Sequence, residues 1–135
     1  MGDTPPVHGA EAIVIEDDRD ARRLVADCLR RMGLHVLEAA SAGEGSALLD
    51  RTTPSLICLD LRLPDRCGLS VCEQVRSSAR LRDVPVLVIT AHCLALDRAR
   101  AEVAGVDDYI VKPFRAAALT RSVRELMALS AVAAS

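Results

Sequence analysis

The sequence predicts an α/β domain, a doubly wound parallel sheet of five strands with five helices on its two faces. Three observations predict it. Short apolar runs alternate with longer amphipathic ones, five times over. Most of the short runs are apolar throughout, as strands buried on both sides are. Acidic, hydroxyl and basic residues recur just past those runs, where open α/β sheets bind ligands.

The elements follow in order. Residues 12–15 form a first buried strand. In residues 19–32, Leu24, Val25, Cys28, Leu29 and Met32 share one helical face, and Gly33 stops the helix. Residues 35–39 mix polar and apolar positions, as an edge strand does. Ser41 caps a second helix that runs to about Arg51, with Glu44 at the capping-box position. Residues 55–59 and 84–89 are further strands, residues 69–78 and 96–104 further helices, and Gly105 ends the latter. A last strand at 109–111 leads into a helix over 115–129, striped by Leu119, Val123 and Leu126. Residues 1–11 read as a flexible leader, 12–129 as one domain, and 130–135 as a fraying tail or the start of a linker.

Composition narrows the function. The chain has 135 residues, half of them apolar, enough for one domain with its own core. With one Tyr, one Phe and no Trp, it offers no base-stacking platform and no walls for a flavin or haem. The net charge is −2 with both signs interspersed, so no basic stripe faces a nucleic-acid backbone. No apolar run approaches the about 20 residues of a membrane span, and the N-terminus lacks the pattern of a secretory signal. Five cysteines without metal-ligand spacing read as small buried thiols in a reducing cytoplasm.

The strand ends carry the chemistry. The first strand ends in Glu16, Asp17 and Asp18, the third in Asp60, the fourth in Thr90 and Ala91, and the fifth in Lys112 and Pro113. Each has an ordinary alternative as a helix cap, a turn residue or a solvated charge, and Asp18 is assigned to the cap of the next helix. Four strand ends on one rim make coincidence a poor account. Carboxylates gathered together repel one another unless a cation joins them, and hard oxygen ligands with room for water suit Mg²⁺. Lys112 is the only lysine among 17 basic residues. A compact ammonium on a flexible stem reaches a single atom such as a phosphoryl oxygen, where the arginine fork does not. A metal, an ammonium and a hydroxyl around a carboxylate nucleophile describe phosphoryl transfer onto an aspartate.

With these residues placed, the chain resembles the receiver domain of two-component response regulators. The resemblance covers about residues 12–129. It rests on Ile15-Glu16-Asp17-Asp18, on Leu59-Asp60-Leu61-Arg62-Leu63-Pro64-Asp65 with Gly68, on Ile89-Thr90-Ala91, and on Gly105-Val106-Asp107-Asp108-Tyr109 running into Lys112-Pro113-Phe114. It implies a flavodoxin-like sheet in the order 2-1-3-4-5, with Asp60 as phosphoacceptor and catalytic centre together with Thr90 and Lys112. It implies Mg²⁺ held by Asp17 and Asp60, by Glu16 largely through water, and by the backbone carbonyl of Arg62. Thr90, Lys112 and the amide of Ala91 would hold the phosphoryl oxygens. Tyr109 and Thr90 would form the switch, and the Lys112–Pro113 bond would be cis. Cys67 departs from the family, which usually has an acid or amide before Gly68. Arg62 and His92 occupy the variable positions two residues beyond Asp60 and Thr90, and tune the lifetime of the phosphoryl group.

The function so implied is a cytoplasmic receiver. It takes phosphoryl from a phosphohistidine of a sensor histidine kinase or a histidine phosphotransfer protein, and slowly hydrolyses its own acyl phosphate. Output passes through the face formed by the fourth helix, fifth strand and fifth helix to a downstream effector or a second copy, with Arg98, Asp107, Asp108 and Arg124 as interface residues. It binds neither nucleic acid nor membrane directly. Two other readings stand beside it. A small Mg²⁺-dependent phosphatase with an aspartyl nucleophile would share Asp, Thr and Lys. It usually has a second acid two residues past the nucleophile, where this chain has Arg62, and its acidic pair comes late in the chain rather than first. A pseudo-receiver that binds partners without phosphorylation would not need the full residue set. A stand-alone regulator and a receiver belonging to a longer protein both fit the sequence.

Overall fold

The computed structural model describes residues 9–91 and 95–134. Strands β1 (Glu11–Ile15), β2 (His35–Ala39), β3 (Leu56–Leu59), β4 (Val86–Thr90) and β5 (Asp108–Val111) alternate with helices α1 (Arg19–Arg31), α2 (Ala42–Arg51), α3 (Leu69–Ser77), α4 (Ala95–Ala104) and α5 (Ala116–Ala134). All the strand pairs are parallel, in the order β2-β1-β3-β4-β5. The order reverses between β1 and β3, which places a ligand crevice at the carboxyl ends of those strands.

Alternation along the strands builds two cores. Ala12 and Val14 of β1 face α1 and α5 with Leu29, Cys58, Leu87, Leu119 and Val123. Ile13 and Ile15 face the other way, with Leu49, Ile57, Leu59, Val71, Val75 and Val86. Every residue of β3 and β4 is buried, which is why both read as continuous apolar runs. The two edges differ: β2 is mixed, and β5 is half-buried throughout.

The local signals act as their chemistry requires. Asp18 caps α1 by accepting from the Ala21 amide at 2.8 Å. Ser41 caps α2 by accepting from the Glu44 amide at 3.1 Å. Glu44 reaches back to the amide of Ala40, one residue before the position a capping box uses. Gly33 follows α1 at φ 96, the left-handed conformation that glycine adopts without steric cost. The Lys112–Pro113 bond is cis.

Four expectations need correction. Leu24 is 53% exposed. Val25, Ala26, Cys28 and Leu29 fill the buried stripe of α1, and Leu24 lies about 40° outside the Cys28 edge of that stripe. Strand β4 begins at Val86 and not at residue 84, because Pro85 has no amide hydrogen for the ladder. Helix α5 continues to Ala134. The stretch after Leu126 is alanine-rich and has no Gly or Pro to stop it. The thiols are not all buried: Cys28, Cys58 and Cys72 are, but Cys67 is exposed on the loop between β3 and α3. Cys93 lies outside the described residues.

Candidate functional site at the carboxyl ends of the strands

The strand ends converge as their positions require. Glu16 follows β1 and is 5% exposed, Asp60 follows β3 and is 7% exposed, and Thr90 ends β4 with no exposure. Asp17 is exposed beside them. Carboxylate oxygens of Glu16, Asp17 and Asp60 lie within 4.8 Å of one another. Lys112, one residue past β5, sends its Nζ to Asp60 Oδ2 at 2.9 Å and to Glu16 Oε1. The Thr90 hydroxyl donates to Asp60 Oδ1 at 2.8 Å, and the Arg62 amide donates to the same oxygen at 3.0 Å. No buried side-chain N or O among the described residues lacks a partner.

Electrostatics follow from this packing. Burial pushes the Glu16 carboxyl up to about 7, against the hydrogen bond from Lys112 that pulls it down. Burial would raise Asp60 too. The hydrogen bonds from Lys112, Glu16, the Arg62 amide and Thr90 outweigh burial and hold Asp60 below the usual aspartate value. Burial thus dominates at Glu16 and hydrogen bonding at Asp60, which moves the two neighbouring carboxyls in opposite directions. Lys112 is raised: burial would lower it, but Glu16 and Asp60 together prevail. With all groups ionised, three carboxylates against one ammonium leave two negative charges uncompensated. A divalent cation balances that charge. A hard oxygen donor set with one solvent-exposed member fits a partly hydrated Mg²⁺.

Two supports were not singled out from the sequence. Arg22 Nη1 donates to the backbone carbonyl of Glu16 at 2.9 Å while its Nε binds Glu38 at 3.2 Å, fixing the turn that carries the acidic pair. Asp65 accepts from the amides of Ala42 and Gly43 at 3.0 and 2.8 Å. Those amides, Gly43 foremost, hold its carboxyl below the ordinary value. Asp65 stands in the motif that follows Asp60, but its partners lie in α2, more than twenty residues earlier, and nothing local marks them.

The remaining predicted residues are placed as follows. Ala91 is exposed directly after Thr90. Arg62 is exposed on the loop that follows Asp60. His92 lies outside the described residues. Tyr109 is half-buried, and the Arg98 guanidinium stacks 4.9 Å from its ring centroid. Asp107 pairs with Arg76 at 2.7 Å and accepts from the Val86 amide. Asp108 accepts from Ser122 Oγ and from the Tyr109 amide. Arg124 is exposed on α5. Three of the four expected interface residues, Arg98, Asp107 and Asp108, thus have partners within the chain.

Comparison with known proteins agrees with the geometry. The family model described as response regulator receiver domain matches residues 12–124. The DNA-binding dual master transcriptional regulator RpaA of Synechocystis sp. is 36% identical over 115 residues, covering 85% of this chain and 48% of that protein. The phosphate regulon transcriptional regulatory protein PhoB of Klebsiella pneumoniae is 34% identical over 115 residues, 85% of this chain and 50% of the relative. The chain spans about half the length of the curated relatives it matches. Among solved structures, the receiver domain of the sensor histidine kinase PA1611 of Pseudomonas aeruginosa superposes with a TM-score of 0.82 at 30% identity, over 89% of this chain and 98% of that one. That structure has a magnesium ion coordinated in its active site cleft. A CheY-like receiver domain of Methanospirillum hungatei shares the fold with a TM-score of 0.85 at 24% identity, over 90% of this chain and 96% of that one. No helix among the described residues is long and apolar enough to cross a membrane. The chain belongs to the receiver domains of two-component response regulators, a family of signal transduction.

Proposed function

We propose that Asp60 is the phosphoacceptor of this receiver. One observation carries the proposal: a buried aspartate at a strand end, bound by Thr90 and Lys112 and flanked by two further carboxylates. A carboxylate oxygen of Asp60 attacks the phosphorus of a phosphohistidine on a sensor histidine kinase or a histidine phosphotransfer protein. The O–P bond forms as the P–N bond breaks, and its electron pair returns to the donor imidazole. Glu16, Asp17, Asp60 and the backbone carbonyl of Arg62 are the groups that would hold Mg²⁺, which neutralises phosphoryl charge when bound. Lys112 contributes the second positive charge, and the Ala91 amide donates to a phosphoryl oxygen. Thr90 turns its hydroxyl from Asp60 Oδ1 to the phosphoryl group, and Tyr109 moves inward in response.

The switched face is then α4–β5–α5, read in the cytoplasm by an effector protein or a second copy rather than by nucleic acid. Arg98 and Arg124 are the interface residues best placed to meet a partner. Asp107 and Asp108 would first exchange their internal bonds to Arg76 and Ser122. Exposed ion pairs there contribute about 0–1 kcal/mol each, enough to set register more than affinity.

The test is incubation with a small-molecule phosphodonor, with Mg²⁺ or with chelator, followed by intact mass. One phosphoryl group per chain with Mg²⁺, and little with chelator, is expected. Incorporation indifferent to the chelator contradicts the proposal.

Arg62 is expected to lengthen the life of the acyl phosphate. Its side chain is long enough to pair with phosphoryl oxygens and to cover the line along which water must attack. His92 adds to this when protonated. Arg62→Ala is expected to dephosphorylate about tenfold faster, equivalent to ~1.4 kcal/mol of barrier. An unchanged rate shows a side chain that serves only solvent, and a slower one reverses the sign.

A further inference from the structure

The loop from Leu61 to Gly68 carries the Arg62 peptide past the acidic pocket, and its fastenings can be counted one by one. At its start the Arg62 amide binds Asp60 Oδ1 at 3.0 Å. At its base Gly68 donates to the Leu61 carbonyl at 2.7 Å, and Arg62 and Cys67 form an antiparallel bridge. Leu63 packs on the core that holds Ile13 and Ile15. The tip is held by Asp65, whose two oxygens each take one amide of the first turn of α2, Ala42 at 3.0 Å and Gly43 at 2.8 Å. The helix has its own caps besides. Ser41 Oγ takes the Glu44 amide, Glu44 takes the Ala40 amide, and Gly45 bonds to the Ser41 carbonyl. Asp65 therefore does more than terminate a helix. It ties the tip of the loop to an element more than twenty residues earlier in the chain, and α2 is itself packed on β1, the strand that carries Glu16.

We propose that Asp65 is a positioning residue of the phosphorylation site, a clamp between α2 and the β3–α3 loop that holds the Arg62 backbone in register with Glu16, Asp17 and Asp60. It touches none of the reacting atoms. Two charge-assisted bonds to adjacent amides fix a carboxylate in direction as well as distance. With the tip fixed by Asp65 and the base fixed by Gly68, the peptide between them has little freedom. Groups that orient ligands behind a metal site change affinity by about 10–100-fold when removed. The part of this proposal that concerns metal rests on the receiver reading given above; the part that concerns the loop does not.

The experiment compares wild type, Asp65→Ala, Asp65→Asn and Ser41→Ala. Ser41→Ala serves as the control, because it removes a cap from the same helix end without touching the loop. Amide hydrogen exchange of residues 61–67 is measured without metal, and Mg²⁺ affinity is measured by calorimetry well below each variant's melting temperature. Asp65→Ala is expected to speed exchange across the loop and to weaken Mg²⁺ about tenfold. Asp65→Asn, which keeps one acceptor oxygen, is expected to fall between, and Ser41→Ala to match wild type in both. Loop exchange unchanged in Asp65→Ala, or changed equally by Ser41→Ala, overturns the clamp. Faster loop exchange with Mg²⁺ affinity intact overturns its role at the site. A wild type that binds no Mg²⁺ contradicts the receiver proposal instead, and loop exchange then still decides whether Asp65 is a clamp.

Discussion

Replacing Asp60 by asparagine is expected to abolish phosphoryl incorporation while leaving a folded protein. The carboxylate is the nucleophile, and an amide oxygen is too weak a one to take its place. Folding survives because an asparagine oxygen still accepts from Thr90 and the Arg62 amide, the two donors that share Asp60 Oδ1. Lys112 keeps Glu16 as its partner. Removing one of three clustered carboxylates also relieves repulsion in the metal-free protein. Asp60→Asn should therefore match or exceed wild type in thermal stability while taking up no phosphate. Intact mass and a melting curve check both halves. Equal incorporation would move the acceptor elsewhere. Loss of fold would show that the carboxylate is structural first.

The second large effect is expected at Gly68. Its φ of −58° is open to any residue, so glycine is not there for backbone freedom. A Cβ at this position would stand 2.1 Å from the Asp60 carbonyl oxygen and 3.1 Å from Leu59 Cδ1. The nearer of these is backbone and cannot swing away. Gly68→Ala must push the β3–α3 loop off the end of β3, at about 1–3 kcal/mol for overpacking. The displaced atoms belong to Asp60 itself, so phosphorylation should slow by more than the stability loss explains. Urea denaturation with a phosphorylation time course separates the two. A variant of wild-type stability and rate would mean that the loop does not close on Asp60 as described.

The legible and illegible parts of this protein divide along physical lines. Strands β1, β3 and β4 could be read because burial on both faces leaves an unbroken apolar run. The ends of α1 and α2 could be read because Asp18, Gly33 and Ser41 act on neighbours within a turn or so. Strand ends then gave the acidic pair, Asp60, Thr90 and Lys112 by position alone, since parallel strands deliver their next residues to one rim. What could not be read depends on contacts distant in sequence. Asp65 bonds to α2, Arg22 bridges Glu16 and Glu38, and Asp107 is held by Arg76. Nothing local marks such partners. Leu24 failed for another reason. An apolar residue at the border of a helical stripe is assigned to the core or to solvent only by what packs against it, and here the packing leaves Leu24 53% exposed.

The most direct test is to phosphorylate the wild-type protein with a small-molecule donor and Mg²⁺, trap the acyl phosphate by borohydride reduction, and map the product by peptide mass. Reduction of an aspartyl phosphate converts that one side chain to the alcohol, so the label stays where the phosphoryl group stood. The expected result is a single converted residue, position 60, with Glu16 and Asp17 unmodified. Conversion at either of those acids, or no conversion under conditions where phosphate is taken up, would contradict a receiver that works through Asp60.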